Sequence, residues 1–404
     1  MAFNLLVLAS DQQTGSNFAK SLQLSRQPHD DFTIIGTTTH PVRAQIAAND
    51  KTVLLPDNIS GDPIQTLRYV ENKLDVKIGL LYETRSGNPM LAVSRNRDTL
   101  PVFLPASETV EIFEDKFQTF THLARQGFPV PQTRLVNNPD DVRRALNDMQ
   151  AENFWVRAIM GQGGTGAFSS KDPQEIIGTI SQQDGWGRYA ISEKLPIDAE
   201  TSWEARLSDD FHPGEMINWL ALYDEGRLVA AQTRKRLYFE HGELTPSGVG
   251  YSGGVMSLQR DDIHEICDKM VRAFGHEPHG ALGADFVVDN HGEPKLTEVQ
   301  ACRFYTTTYF LSMMGLNFPR LYLDCARGQF PDMEQRVNPV PAGMIWIQRF
   351  GADDTLRHRD EILDGMATGI VENDAASIIH RHISEPTRSA ILRTSHPAGS
   401  VRSL

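Results

Sequence analysis

The chain has 404 residues, with 39 Lys and Arg against 52 Asp and Glu, which gives a formal net charge of −13. At roughly 100–200 residues per domain, this length indicates two or three domains. The acidic balance excludes a general nucleic-acid binder, because neutralising phosphates needs a basic surface. It leaves room for a local basic pocket that binds a small phosphate-bearing molecule. A composition of 40% hydrophobic and 23% charged residues excludes wholesale disorder.

The three cysteines, Cys267, Cys302 and Cys325, show no CxxC spacing and leave one thiol unpaired in any disulfide scheme. This usage predicts a reducing, cytoplasmic location. No stretch approaches the roughly 20 apolar residues of a membrane helix, and the apolar start at residues 3–9 lacks the basic flank of a signal peptide. We therefore expect small-molecule substrates, no nucleic acid and no membrane, and a homodimer is compatible with the sequence.

Residues 1–112 have the pattern of a small α/β unit. Short apolar runs at residues 3–9, 32–36, 52–55 and 77–82 alternate with helical segments, which predicts parallel strands joined by crossover helices. The turn after the first run lacks GxGxxG, so the sequence argues against a dinucleotide site there.

The remainder of the chain alternates predicted strands with capped helices. Helices are expected at 111–127, 138–149, from Asp172, at 261–274 and at 318–327, and strands at 134–136, 154–159, 189–193, 283–288, 294–299 and within 340–350. Residues 216–233 read as a hairpin around Asp224-Glu-Gly226. The polar residues 384–404 are expected to be loosely held.

A glycine-rich segment, Gly161-Gln-Gly-Gly-Thr-Gly166, follows the strand at 154–159. It satisfies GxGxxG, but no helix begins inside it and no Gly-Lys-Ser/Thr follows, which excludes a dinucleotide fingerprint and a P-loop. Gly163, Gly164 and Gly166 instead suit a loop between antiparallel strands whose amides approach phosphates. The guanidinium of Arg157, upstream on the strand, would bind a nucleotide phosphate. A simple flexible hairpin tip is the alternative.

Two acidic residues flank a predicted hinge. The strand ending at Glu193 leads into Lys194-Leu195-Pro196, where backbone groups near Leu195 can serve an adenine, and Glu200 can accept hydrogen bonds from ribose hydroxyls. A solvated acidic loop is the alternative interpretation.

A second acidic pair, Asp285 and Glu298, lies on two strands joined by Asp289-Asn-His-Gly292. The arrangement can bring both carboxylates to one sheet face, with Gln300 two residues further on the same side. Carboxylates inside apolar strands are costly unless paired or bound to metal, and such oxygen ligands suit Mg²⁺ that bridges nucleotide phosphates. One edge carboxylate facing water is the alternative.

Taken in order, these segments resemble the ATP-grasp superfamily, and within it the carbamoyl-phosphate synthetase large-subunit-like branch. The resemblance spans about residues 110–330, with a looser match before it. It is carried by Asp115-Lys116 with Gly127-Phe-Pro-Val-Pro131, by residues 156–166, by Glu193 and Glu200, by Asp285, Glu298 and Gln300, and by residues 315–328.

The resemblance implies an α/β chain, α+β in its catalytic core, with the ATP-grasp fold behind a Rossmann-like pre-ATP-grasp domain. The implied domains are 1–112, a core at 113–330 with a lid at about 128–192, and a C-terminal appendage at 331–404. The implied cofactors are ATP and Mg²⁺, with Mn²⁺ as a substitute. Lys116, Arg157, Gly163, Gly164, Gly166, Glu193, Leu195 and Glu200 would hold the nucleotide, and Asp285, Glu298 and Gln300 the metal.

The implied activity is ligation of a carboxylate to an amine through an acyl phosphate, with release of ADP and phosphate. Arg303 and Lys235 are the expected catalytic residues, Lys235 lying within the basic run 234–236. Two positions depart from the family pattern: Gln300 stands where the family has Asn, and Arg303 follows three residues after it instead of two. Residues 248–254 are expected to form a second flexible loop over the site.

Two other functions stay open at this stage. One is bicarbonate activation in the manner of biotin carboxylase or carbamoyl-phosphate synthetase, which the absence of a recognisable biotin-attachment motif and of a second grasp half disfavours. The other is a nucleotide-binding protein whose chemistry has lapsed, which the departures at Gln300 and Arg303 keep open.

Overall fold

A computed structural model describes residues 3–46, 48–149, 151–161, 166–197, 201–240, 251–331, 336–347 and 355–368. The expected loose tail at 384–404 lies outside the described residues. Among the described residues, no helix is both long enough and apolar enough to cross a bilayer.

The N-terminal unit contains a parallel sheet, as the sequence predicts. Its strands are β1 (Phe3–Val7), β2 (Phe32–Thr38), β3 (Lys51–Leu54) and β4 (Leu80–Tyr82), and its helices are α1 (Gln13–Ser25), α2 (Asp57–Ser60), α3 (Pro63–Leu74), α4 (Asn88–Arg95) and α5 (Ser107–Glu114). The strand order is β3-β2-β1-β4. All neighbouring strands pair in parallel. Buried apolar side chains of β1, including Leu5, Leu6 and Val7, hold the helices against this sheet.

A second, antiparallel sheet carries the glycine loop. It consists of β5 (Thr133–Val136), β6 (Phe154–Ala158), β7 (Phe168–Ser170) and β8 (Tyr189–Glu193) in the order β5-β8-β6-β7, with α6 (Lys116–Arg125), α7 (Pro139–Met149) and α8 (Pro173–Gln182) along the same stretch of chain. The loop connects β6 to β7, which pair antiparallel, so the predicted strand-loop-strand arrangement is confirmed. We call this sheet with α7 and α8 the lid.

The third sheet is the largest and is wholly antiparallel. Its strands are β9 (Met216–Asp224), β10 (Arg227–Glu240), β11 (Tyr251–Leu258), β12 (Gly280–Val288), β13 (Pro294–Ala301), β14 (Met344–Ile347) and β15 (Thr355–His358), in the order β13-β12-β9-β10-β11-β14-β15. Its helices are α9 (Trp203–Leu207), α10 (Asp261–Arg272), α11 (Thr308–Met313), α12 (Phe318–Ala326) and α13 (Arg359–Thr368).

The large sheet corrects two expectations. Residues 251–254 begin β11 and pair with β10, so the predicted second loop cannot extend that far. Strands β14 and β15 extend the sheet beyond β11, so the predicted boundary at residue 330 does not separate the C-terminal segment from the core. Residues 248–250 and 369–404 lie outside the described residues.

The expected helix at 111–127 is two helices. Asp115 leaves the helical conformation (φ −104°, ψ 102°), and its side chain accepts a hydrogen bond from the Gln118 amide as the N-cap of α6. The break turns the end of α5 and the start of α6 toward the same place. This local interruption brings Glu114 and Lys116 to one cavity, as described below.

Candidate active site

The two carboxylates lie side by side at one edge of the large sheet. Asp285 on β12 is the direct cross-strand partner of Glu298 on β13, and Gln300 pairs with Gly283 two positions further. Directly paired residues share a sheet face. The predicted juxtaposition of Asp285, Glu298 and Gln300 is therefore confirmed as geometry, and their metal role stays a prediction.

A one-residue register shift produces this juxtaposition. Near the turn Phe286 pairs with Leu296, whereas beyond it Asp285 pairs with Glu298, so Thr297 is the extra residue on β13. Without the extra residue Asp285 would pair with Thr297, and Glu298 would point to the opposite face, because strand side chains alternate. The Thr297 hydroxyl donates to the Asp285 carbonyl oxygen at 3.0 Å and braces this bulge. Bulges commonly re-aim side chains beside active sites.

The donor set fits a magnesium ion bound together with nucleotide phosphates. Buried Gln300 Oε1 finds no hydrogen-bond partner among the described residues, so an acceptor oxygen is available beside the carboxylates. In the described part of the chain, no three His, Cys, Asp or Glu side chains surround a common point. The protein would thus supply two carboxylates and an amide oxygen, and phosphates and water the rest, which is how Mg²⁺ is usually held.

Asp285 is buried among polar partners that the sequence did not reveal. Asn218 on β9 donates its side-chain amide to Asp285 Oδ1, and Arg236 on β10 lies with Nη2 3.6 Å from Oδ2. Burial raises the pKa of Asp285, the Arg236 guanidinium opposes the rise, and the Glu298 carboxylate adds to it. A cation bound beside the pair would favour the ionised form of both carboxylates.

Lys116 links the carboxylates to the glycine loop. Its Nζ donates to the Gly161 carbonyl oxygen at 2.6 Å and lies 3.9 Å from Glu298 Oε1. Burial lowers the pKa of this ammonium, and the Glu298 carboxylate partly restores it. Glu114, across the same cavity, accepts the Gly87 amide at 2.5 Å, and burial raises its pKa. Sequence reasoning missed Glu114, although its place on the buried face of α5, one turn after Val110, is a signal that could have indicated it.

Arg157 joins the lid to the carboxylate strand. From β6 its Nη1 donates to the Thr297 carbonyl oxygen at 3.0 Å, and its guanidinium lies 4.9 Å from the centre of the Phe120 ring. Burial lowers the pKa of Arg157 to about 10, and Glu298 opposes that shift. Arg157 is thus a lid residue held next to the carboxylate strand, and its phosphate-binding role stays a prediction.

The displaced Arg303 reaches the cavity through a left-handed residue. Strand β13 ends at Ala301, and Cys302 then adopts φ +72°, which is uncommon for a residue other than glycine. This turn absorbs the additional residue between Gln300 and Arg303. Arg303 consequently lines the same cavity as Lys116, Gln300 and Glu114. Arg303 thus lies in the cavity although it follows Gln300 by three residues, and its catalytic role stays a prediction.

Lys235 does not lie in this site. Its side chain is fully buried (0% exposed), and its Nζ contacts Glu215 Oε1 at 3.0 Å and the Asp210 carbonyl oxygen at 3.2 Å. Cross-strand pairing places Arg234 opposite Asn218 instead, so Arg234 and Arg236 share the carboxylate face. This placement contradicts the catalytic assignment of Lys235. Its neighbours Arg234 and Arg236 lie on the carboxylate face, where Lys235 was expected.

A second register shift explains why Lys235 lies outside the site. Leu228 pairs with Tyr223 but Ala230 pairs with Leu222, so Val229 is an extra residue on β10. An uninterrupted hairpin from the turn at Asp224-Glu-Gly226 would put Lys235 on the Asn218 face. One added residue exchanges the two faces for the remainder of the strand.

The predicted nucleotide hinge is only partly described. Glu193 ends β8, and its Oε1 accepts the Gln132 amide at 3.1 Å, while Leu195 follows as a buried residue. No contact among the described residues joins either to the carboxylate pair, so their adenine role stays a prediction. Gly166 has φ +73°, and a Cβ there would lie 2.6 Å from the Tyr189 hydroxyl. Gly163, Gly164 and Glu200 lie outside the described residues.

Gly283 makes room for an aromatic side chain over the sheet. A Cβ at this position would lie 2.7 Å from Cε2 and from the hydroxyl of buried Tyr305. We expect Gly283→Ala to lower the free energy of unfolding by about 1–3 kcal/mol, because the ring must shift in a packed region. Urea denaturation measures this loss.

Gly178→Ala provides the matched control for this change. Gly178 lies within α8, and nothing is within 4 Å of its added Cβ. We expect this alanine to be neutral or stabilising by up to about 1 kcal/mol. Equal stability of the two variants would contradict the packing role of Gly283.

Comparison with solved structures places the whole arrangement in a known fold. N5-carboxyaminoimidazole synthetase from Staphylococcus aureus complexed with ADP aligns with a TM-score of 0.63 at 11% identity, over 94% of this chain and 96% of that one. The biotin carboxylase domain of Hydrogenobacter thermophilus 2-oxoglutarate carboxylase, with MgADP and bicarbonate, aligns at 0.61 and 12% identity, over 86% and 74%. L-amino acid ligase from Bacillus licheniformis aligns at 0.58 and 13% identity, over 85% and 78%.

Sequence comparison gives a shorter match. A probable alpha-L-glutamate ligase of Legionella pneumophila is 26% identical over 91 residues, which are 22% of this chain and 30% of that protein. The alignment thus spans less than a third of the curated relative. No family model matches the chain.

The chain therefore has the ATP-grasp fold, as the resemblance predicted. Solved ATP-grasp structures of the same shape contain ADP with or without magnesium. The carboxylate pair, the buried cations and the lid lie together in this fold.

Proposed function

We propose that this chain is an ATP-dependent ligase that joins a carboxylate to an amine through an acyl phosphate, releasing ADP and phosphate. One observation carries the proposal. The paired carboxylates Asp285 and Glu298 lie beside Lys116, which also contacts the carbonyl of lid residue Gly161. A site that holds phosphates between acidic metal ligands and a glycine-rich segment suits phosphoryl transfer.

The proposed reaction brings two anions together. A carboxylate oxygen attacks the γ-phosphorus of ATP, the bond to ADP breaks, and the amine then displaces phosphate from the acyl carbon and loses a proton. Mg²⁺ bound at Asp285, Glu298 and Gln300 would supply positive charge for the phosphates. The fixed positive charge of the site would come from Lys116, Arg157 and Arg303. Most of the rate enhancement would come from this charge and from positioning the substrate carboxylate against the γ-phosphate.

The lid protects the intermediate in this proposal. An acyl phosphate hydrolyses if water reaches it, so the site must close over it. Arg157 bonds to the Thr297 carbonyl oxygen, and Lys116 bonds to the Gly161 carbonyl oxygen. These two contacts hold the lid next to the carboxylate strand. Glu193 and Leu195 would face the adenine, and Gly163, Gly164, Gly166 and Glu200 the phosphates and ribose.

A phosphate-release assay tests the proposal. The full chain is incubated with ATP, Mg²⁺ and pairs drawn from a panel of carboxylates and amines, and products are identified by mass spectrometry. We expect phosphate release that requires both members of one pair, together with a product lighter by one water than the sum of the two. ADP binding without turnover across the panel would favour a non-catalytic nucleotide-binding protein instead.

Bicarbonate activation is the second candidate function. It is supported by the likeness to a biotin carboxylase domain whose structure contains bicarbonate. In that case ATP cleavage would depend on bicarbonate, and the amine would gain a carboxylate group. Labelled bicarbonate in the same assay separates the two candidates, because only the carboxylase incorporates the label.

A cytoplasmic location is part of the proposal. The three cysteines are all free and buried, which is compatible with a reducing compartment. A small-molecule carboxylate and amine are the expected partners, and a homodimer is compatible with the sequence.

A further inference from the structure

Arg234 is a buried cation without a hydrogen-bonded anion among the described residues, and the Asp285 carboxylate acts on it only through space. Its side chain is fully buried, and Nε, Nη1 and Nη2 find no hydrogen-bond partner among the described residues. A buried charge is costly unless it is paired. Lys235, equally buried on the same strand, is paired with Glu215 at 3.0 Å. Lys235 thus has the ion partner that a structural role requires, whereas Arg234 has no hydrogen-bonded partner among the described residues.

The position of Arg234 points it toward the site. It pairs across β9 with Asn218, which in turn pairs with Asp285, so Arg234 lies in one cross-strand row with the carboxylates. Arg236 on the same face already bonds to Asn218 Oδ1 at 3.0 Å and approaches Asp285 at 3.6 Å. Arg236 thus approaches Asp285 directly, whereas the N–H groups of Arg234 donate no hydrogen bond to a described residue.

Tyr305 holds the guanidinium in a defined orientation. The Arg234 guanidinium carbon lies 4.6 Å from the centre of the Tyr305 ring, and Gly283 leaves the space that the ring occupies. Stacking on an aromatic face leaves the in-plane N–H groups of an arginine available for a planar, bidentate anion. Burial lowers the pKa of Arg234 to about 10, so the group is still charged at neutral pH.

We propose that Arg234, stacked on Tyr305, binds the carboxylate of the substrate that ATP activates. The inference rests on the proposed ligase function and deepens it. It places the substrate carboxylate in the same cross-strand row as Asp285 and Glu298, next to the place where the γ-phosphate of ATP would lie. A carboxylate is planar and offers two acceptor oxygens, which matches the fork of a stacked guanidinium.

The test uses Arg234→Met in the full chain and reads stability as well as activity. Removing a buried, unpaired charge should raise the melting temperature of the ligand-free protein, whereas removing a structural ion would lower it. ADP with Mg²⁺ should stabilise the variant as much as the wild type. Acetate, succinate, L-alanine or L-glutamate, added with ADP and Mg²⁺, should further stabilise only the wild type. In turnover, KM for the carboxylate should rise about tenfold to a hundredfold, and KM for ATP should not change.

Arg227→Met is the matched control. Arg227 lies on β10, as Arg234 does. Its guanidinium carbon is 3.2 Å from the centre of the Phe330 ring, but its side chain is 55% exposed and forms an ion pair with Asp224. We expect its KM values to equal those of the wild type.

The outcomes separate this assignment from the proposed function. If Arg234→Met lowers the melting temperature, or if the carboxylates stabilise both proteins equally, the assignment is overturned and the ligase proposal stands. If the variant loses affinity for a non-hydrolysable ATP analogue but not for ADP, the γ-phosphate is the partner and the carboxylate assignment is wrong. If ADP with Mg²⁺ stabilises neither protein, both proposals fail.

Discussion

Glu298→Gln is expected to reduce turnover about a thousandfold while the folded structure persists. The substitution keeps the size of the side chain but removes its charge, and with it one of the two carboxylates of the proposed metal site. Because Asp285 and Glu298 are direct cross-strand partners, removing one charge also relieves repulsion between them. Glu298 also supports the charge of the buried cations Lys116 and Arg157, so the two effects oppose each other and the melting temperature of the ligand-free variant should fall only modestly.

Glu293→Gln is the matched control for this change. Glu293 is exposed and immediately precedes β13. Phosphate release and the melting temperature are measured for both variants, with and without ADP and Mg²⁺. We expect Glu298→Gln to lose the metal-dependent part of the ADP stabilisation, and Glu293→Gln to retain it. Turnover of Glu298→Gln within tenfold of wild type would contradict the metal assignment.

Lys235→Met is expected to lower the free energy of unfolding by about 3–5 kcal/mol, because it leaves the Glu215 carboxylate buried without its ion partner. The two side chains are 0% and 4% exposed. Burial lowers the pKa of Lys235, and Glu215 opposes that shift. The double variant Lys235→Met with Glu215→Leu should recover much of the loss, since it removes both charges together.

Urea denaturation of the two variants measures this effect, with Lys269→Met on the exposed face of α10 as the control. We expect the folded fraction of Lys235→Met to turn over ATP with the KM of the wild type. A variant that is as stable as wild type but has lost turnover would instead restore the catalytic role that the sequence suggested for Lys235.

The chain order of the elements and the fold could be predicted from the sequence, because both rest on local patterns. Short apolar segments marked β1, β2 and β8 within a few residues of their bounds. Asn138 and Asp172 marked the starts of α7 and α8. The fold followed from the order of several weak motifs, each of which was ambiguous alone.

Three backbone irregularities limited what could be predicted of the site. The extra residues Val229 and Thr297 each exchange the two faces of a strand, and Cys302 adopts a left-handed conformation that turns Arg303 inward. None of these has a turn-type sequence signal, since valine, threonine and cysteine are ordinary residues of strands. Their positions depend on long-range packing of the sheet, which alternation along one strand does not report.

The consequences differed from one strand to the next. On β13 the irregularity brings Glu298 beside Asp285, in agreement with the sequence prediction. On β10 it moves Lys235 away and brings Arg234 and Arg236 into the site, which the sequence could only indicate as a basic run. Knowing the pairing register was necessary to choose among three consecutive basic residues.

The fate of carboxylate oxygen tests the central claim of acyl-phosphate chemistry most directly. The carboxylate substrate found in the panel is labelled with oxygen-18, and the phosphate released during ligation is analysed by mass spectrometry. Attack of the carboxylate on the γ-phosphorus followed by displacement by the amine leaves one carboxylate oxygen in phosphate, so we predict one labelled oxygen in each phosphate released. Phosphate that carries no label, formed at the same rate as the amide, would contradict the proposed function.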